Sequence, residues 1–290
     1  MSTEATPNNG NDPAIKLAAP AAQRVRASGP ILFLAMLFVV ASFLTWYFTW
    51  FGRDLTDAKV TEYLADEKKP RHVQHALLQI QQRIERGDKN AKQWYPGIVA
   101  LAGSQETEFR LTVAWLMGAD NSSEEFHQAL TKLLHDVEPI VRRNAALALV
   151  RFNDSTGREE LLAMLQPLAV NASATGTLQS SLSTGAQVSR GALLGRIQAS
   201  GGVAEIRSPV NGIVDQVLVG NGSAVSEGTP VLTIKSDEQS VWEALRGLSV
   251  VGQQADLPLI DRYASGAEKA GDRIKQQAAL TAGAIKARAH

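Results

Sequence analysis

Gly176-Thr-Leu-Gln-Ser-Ser-Leu-Ser-Thr-Gly185-Ala-Gln-Val188-Ser-Arg-Gly191-Ala-Leu-Leu-Gly-Arg-Ile197 and Gly212-Ile-Val-Asp-Gln-Val-Leu-Val-Gly-Asn-Gly222-Ser-Ala-Val225-Ser-Glu-Gly228-Thr-Pro-Val-Leu-Thr-Ile234 are two passes of one pattern. Each carries G-x-x-V-x-x-G and ends on an apolar run. Short alternating runs punctuated by glycine are strand and turn signals, and a near-repeat implies two copies of one structural unit. Twin strand units of this size are expected to interlock as a two-fold flattened barrel over residues 169–236.

The chain around this segment has a different character. It is formally neutral, with 29 Lys+Arg against 29 Asp+Glu, which removes the bulk electrostatic case for a nucleic-acid partner. Cysteine is absent, so disulfides, thiol catalysis and cysteine-ligated metals are excluded. Residues 1–30 are rich in Ala, Pro, Asn and Ser and read as a disordered tail.

Ile31 to Phe51 is an uncharged apolar run whose end is crowded by Trp46, Tyr47 and Trp50. At helical rise it would cover about 31 Å, close to a hydrocarbon core. The alternatives are a buried core helix, which rarely runs apolar on every face for so long, and a signal peptide, which ends on small residues rather than aromatic ones. Residues 31–51 are therefore expected to be a transmembrane helix. Lys16, Arg24 and Arg26 precede it, and Arg53 and Lys59 follow it. That slight bias places the tail inside and the bulk outside, a single-pass inner-membrane protein with a periplasmic body.

Residues 55–168 are helical in pattern, with apolar residues three and four apart and breaks at Lys69-Pro70, Gly87-Asp88, Gly103-Ser104, Gly118-Ala119 and Asn153-Asp154. Helical spacing resumes over 237–288. The residue that opens the inward face of each second helix falls at Val73, Phe109, Val141, Val241 and Ile274. The third step, 100 residues, exceeds a 33-residue step by 67, and the β segment 169–236 holds 68. The β segment thus reads as an insertion within one helical pair, between 158–166 and 238–248. The helices on either side are expected to pack together, because repeats bury their faces only against neighbours.

Two resemblances follow from these residues. Glu124–Phe152 resembles a HEAT repeat: Asp136 lies between two helices and Arg142 follows six residues later, the spacing of that family's Asp–Arg ladder. The ladder is complete only in this unit, and Arg143 reads as a solvated neighbour. The twin β unit, with Ile206-Arg-Ser-Pro209-Val-Asn-Gly212-Ile-Val214, resembles the biotinyl/lipoyl barrel-sandwich hybrid, and within it the barrel of membrane fusion proteins, the periplasmic adaptors of secretion and efflux pumps. The fold class implied is α+β multidomain: a transmembrane helix, a HEAT-like solenoid and an inserted all-β barrel.

In biotin carriers that resemblance implies an acceptor lysine at the hairpin tip, within Glu-Ala-Met-Lys-Met. The aligned run here is Gln198-Ala-Ser200-Gly201-Gly202-Val-Ala-Glu-Ile-Arg-Ser-Pro209, and Gly201 takes the lysine position. No lysine occurs from Ala169 to Ile234, so an amide-linked cofactor is excluded there, and Lys235 reads as a surface residue. Fusion proteins carry a long helical hairpin between the halves; here only Ala199–Glu205 joins them. The tip, Ser200, Gly201 and Gly202, is left as a partner contact.

Other chemistry is sparse. His72 and His75 lack a third metal ligand nearby, His127 and His135 fall on different faces, and Trp94, Trp115 and Trp242 read as core residues rather than ligand platforms. No catalytic, cofactor or metal site is expected. The function expected is a non-enzymatic, membrane-anchored envelope scaffold that binds a protein partner, which is either a transporter or a second copy of itself. The alternative is an adaptor subunit of an efflux or secretion pump. A third class, an accessory acting on an enzyme's bound cofactor, has no residue in its favour.

Overall fold

The computed structural model describes residues 29–47 and 54–288, in two units. The first contains one described helix, α1 (Gly29–Trp46). Its apolar part from Ile31 onward would rise only about 24 Å, short of the roughly 30 Å of a hydrocarbon core. Among the described residues no helix is long and apolar enough to cross a membrane. This corrects the expected transmembrane helix over 31–51, and with it the single-pass inner-membrane, periplasmic placement. The disordered tail expected over 1–30 lies, but for its last two residues, outside the described residues.

The second unit is mixed α and β. Its N-terminal helices are α2 (Asp57–Leu64), α3 (Pro70–Glu85), α4 (Tyr95–Leu101, entered through a 3-10 turn over Lys89–Trp94), α5 (Thr107–Met117), α6 (Glu124–Leu133), α7 (Pro139–Arg151) and α8 (Arg158–Met164). Local signals set their starts. Thr56 and Ser123 accept backbone N–H bonds as caps of α2 and α6. Pro70 and Pro139 open α3 and α7, where a missing N–H costs nothing. After the β segment come α9 (Glu238–Val251), capped by Asp237, then α10 (Leu257–Ala264) and α11 (Asp272–Arg288).

The helices bury two apolar clusters. One runs from Val60 to Leu149 and fills α2 through α7 with Phe109, Phe126, Ile80 and Met117. The other joins residues on both sides of the β segment: Leu161 and Met164 of α8 pack with Val241, Leu245 and Leu248 of α9 and with Ile274 and Ile285 of α11. Helix α7 serves both, Ala145 and Leu149 facing the first and Ala146 the second. Gly247 makes this closeness possible, because a Cβ there would meet Leu161 Cδ1 at 2.9 Å.

The β segment holds β1 (Leu168–Asn171), β2 (Gly176–Gln179), β3 (Gln187–Val188), β4 (Leu193–Ala199), β5 (Gly202–Arg207), β6 (Gly212–Val217), β7 (Ala224–Val225) and β8 (Pro230–Ser236). They form two four-stranded sheets, β1-β8-β6-β3 and β5-β4-β2-β7. Renumbering each strand by its counterpart in the other half converts one order into the other, so the two halves exchange strands symmetrically. The sheets do not close into the barrel expected from the repeat; they are a sandwich. Both ends are adjacent: Leu168 pairs with Ile234, so the chain enters and leaves side by side.

The repeat motif now has a physical reading. Val188 and Val225 are buried, and each is flanked by glycines at positive φ, Gly185 (+87°) and Gly191 (+77°) in one half, Gly222 (+81°) and Gly228 (+81°) in the other. L side chains rarely adopt that region. The leading glycines answer a different need: a Cβ at Gly176 would meet Gln198 O at 2.2 Å, and one at Gly212 would meet Lys235 O at 2.1 Å.

Candidate functional site

The hairpin joining the two halves is tight. Ala199 pairs with Gly202, so Ser200 and Gly201 form the turn. A Cβ on Gly201 would meet nothing within 4 Å, and Gly202 sits at φ +129°. The tip therefore has space and exposure for a larger side chain at 201 but offers no amine. Glu205 holds the stem beside it, paired with Arg207 Nη2 at 2.5 Å and Arg196 Nε at 3.7 Å.

Asp136 and Arg142, the expected ladder pair, meet through backbone rather than side chain. Arg142 Nη1 donates to Asp136 O at 2.9 Å and Val137 O at 3.3 Å, while its Nε reaches Glu160 Oε2 at 3.1 Å. The Asp136 carboxylate is held instead by Arg110, whose Nε and Nη2 donate to it at 2.6 and 3.1 Å. Arg110 repeats the arrangement one unit earlier: its Nη1 donates to Ser104 O and Gln105 O of its own loop. Each arginine thus ties its own interhelix loop to an acid of the next unit. Burial works to raise the Asp136 pKa, but the Arg110 and Glu138 hydrogen bonds hold it below the ordinary carboxylate value. Sequence reasoning missed Arg110, although Phe109-Arg110 sits where Val141-Arg142 does. The signal was there, but Ser104 stands where an aspartate was sought.

Arg143 is not the solvated neighbour expected. It is 4% exposed, its Nε has no hydrogen-bond partner, and Glu160 lies 4.0 Å away. Burial lowers its pKa. Lys235 is likewise no simple surface residue: on β8 it pairs with Asp215 at 3.0 Å and with Glu268, in the α10–α11 loop, at 2.9 Å. These pairs raise its pKa, Glu268 foremost, and Lys235 in turn lowers that of Glu268. A second link, between Arg190 of the β3–β4 turn and Glu108 of α5, also joins sandwich to helices. Buried Tyr263 donates to Leu165 O at 2.7 Å, and burial pushes its hydroxyl up to about 12.

The histidines are engaged locally. His72 stacks on Tyr63 at 4.0 Å and meets Asp66, His75 meets Gln79, and His127 meets Asp154. Trp94 is core, donating to Thr61 Oγ1, but Trp115 is 53% exposed and Trp242 only partly buried. Trp115 thus departs from the expected core role, because it lies on the outward side of α5.

Residues 164–234 match the biotin–lipoyl family model, described as "Biotin-requiring enzyme". That covers less than half of the chain, and the segment is a biotin/lipoyl-type domain. No curated protein matches the chain. Among solved structures, a single-chain, multi-domain long-chain acyl-CoA carboxylase is similar at 21% identity, covering 36% of this chain and 10% of its own, with a TM-score of 0.24.

Proposed function

We propose that the chain is a non-catalytic scaffold for a protein partner, built from HEAT-like helical repeats around a biotin/lipoyl-type sandwich that carries no cofactor. The observation that carries this reading is the hairpin tip. A carrier needs a primary amine there to form its amide, and the turn is Ser200-Gly201, with no lysine from Ala169 to Ile234. The repeating Arg110 and Arg142 loop ties support the HEAT-like assignment, because a ladder that locks one unit to the next is what stacked repeats need. A two-residue turn leaves no place for the long helical hairpin of a pump adaptor, so the reading stops at scaffolding.

Intact mass of the protein isolated from its own cells tests the first half: the expected mass is that of the bare polypeptide, and a biotin- or lipoate-sized adduct on residues 164–234 overturns it. Native cross-linking tests the second half. A partner recovered in fixed stoichiometry is expected, and its absence removes the scaffold role.

A further inference from the structure

Helices α5, α7 and α9 lie side by side and α11 packs against α9, so residues from four elements share one face. A groove of about 330 Å³ opens there. Exposed Trp115 forms one wall, Leu147 and Val150 of α7 the floor, and Trp242 and exposed Val250 of α9 the other wall. Gly247 adds no side chain to the α9 wall, where it lies against Val150.

The charge around this groove is one-sided. Arg246 and Arg273 lie against Trp242, their guanidinium carbons 4.7 and 4.1 Å from its ring centroid. A guanidinium held against a ring keeps N–H donors at its edge for a carboxylate, although Arg273 Nη1 also donates to Gln239 Oε1 at 3.4 Å. Arg151, on the rim, uses one nitrogen on Gly118 O. Among the described residues none of these three arginines pairs with an acid, whereas Arg83, Arg110, Arg142, Arg158 and Arg262 each hold a carboxylate. Glu243 is the acid that lines the groove, and it accepts from Gln239.

We infer that this groove docks an acidic segment of a partner protein, an apolar side chain of the segment seated between Trp115 and Trp242 and its carboxylates held by Arg151, Arg246 and Arg273. This rests on the scaffold reading and deepens it. Arg151 and Arg246 in the lining, with Arg273 against Trp242 beside it, hold no carboxylate and outnumber Glu243, which sets the sign of the partner's charge. The exposed tryptophan with its aliphatic floor sets the need for an apolar anchor, since burying it is the main source of affinity in such pockets.

The full chain is titrated with a short synthetic peptide of alternating glutamate and leucine, followed by tryptophan fluorescence and by anisotropy of the labelled peptide. The expected result is saturable binding that falls at least about tenfold when glutamine replaces glutamate, and falls as far in the double variant Arg246→Glu/Arg273→Glu. Both arginines are exposed, so thermal melting of that variant should match the parent; Trp115→Ala is a second, uncharged variant expected to weaken binding without shifting the melt. No saturable binding, equal binding of the glutamine peptide, binding unchanged by either variant, or preference for an oligothymidine of equal length overturns the groove. Cross-linking of the double variant in cells separates the two readings. If the variant keeps the parent's partner, the groove assignment falls and the scaffold stands. If the parent itself holds no partner, the scaffold falls.

Discussion

At the scale of single residues, the hairpin tip separates two neighbouring glycines by their geometry. Gly201 faces open space, whereas Gly202 sits at φ +129°. Gly201→Lys should therefore change stability by less than about 0.5 kcal/mol, while Gly202→Ala should cost about 1–2 kcal/mol through strain in a region L residues avoid. Thermal or urea melts of the two variants check this; equal losses would mean the turn is not held as described. The interhelix arginines differ in the same graded way. Arg110 and Asp136 form a bidentate pair with side chains only 12% and 7% exposed, so Arg110→Ala leaves a largely buried carboxylate without its charge partner and with the Glu138 N–H still donating to it. A loss of about 2–3 kcal/mol is expected. Arg142 and Glu160 are more exposed and joined by a single bond, so Arg142→Ala should cost less. Denaturant titration of both variants gives the order; a larger loss at Arg142 contradicts it.

Between elements, the contact of β8 with the α10–α11 loop is an ion cluster: Lys235 with Asp215 and Glu268, and Arg262 with Glu268 at 2.8 Å. The Glu268 pKa is depressed, chiefly by the Lys235 hydrogen bond, from an ordinary value of 4.5. A depressed folded-state pKa means the folded form binds fewer protons than the unfolded one. The contribution is therefore full above pH 4.5 and lost as pH falls through the folded value. Lys235 works in the opposite sense: raised above 10.5, it contributes below that pH and loses its effect as pH rises through the folded value. Melting temperature against pH should fall more steeply below pH 4.5 in the parent than in Glu268→Gln, and parallel curves would remove the cluster from the stability balance.

For the whole molecule, the second cluster of buried residues spans the β insertion, with α8 on one side and α9 on the other, and Leu168 pairs with Ile234 where the chain enters and leaves. Strand partners sit about 5 Å apart, so a short Gly/Ser linker can replace 169–236 without moving the helices. Closing such a loop changes free energy by only about 0.6 kcal/mol per doubling of its length. Residues 55–290 with this replacement should keep their helical circular dichroism and melt in one transition. The losses are the Lys235 and Arg190 links, which are partly exposed and worth little. A broad or two-step melt would mean that the sandwich holds the helices together.

Much of this architecture is legible without coordinates. Glycine at fixed spacing is a strong signal, because positive φ and a close backbone approach favour it over other residues, and so the twin β halves and their missing lysine can be read directly from 176–234. The 100-residue step is one helical step plus the length of the β segment, and the helices on its two sides, α8 and α9, share one buried cluster. Other features required the tertiary structure. An uncharged run states hydrophobicity, and among the described residues no helix is long and apolar enough to cross a membrane. The strand exchange that makes an open sandwich rather than a closed barrel depends on which edges pair, and strand patterns are silent on pairing. The partners of Arg110, Arg142 and Arg143 and the exposure of Trp115 depend on which helix lies across each side chain. Those arginines and their partner acids lie 17 to 26 residues apart in the chain, and local periodicity carries no information about such pairs.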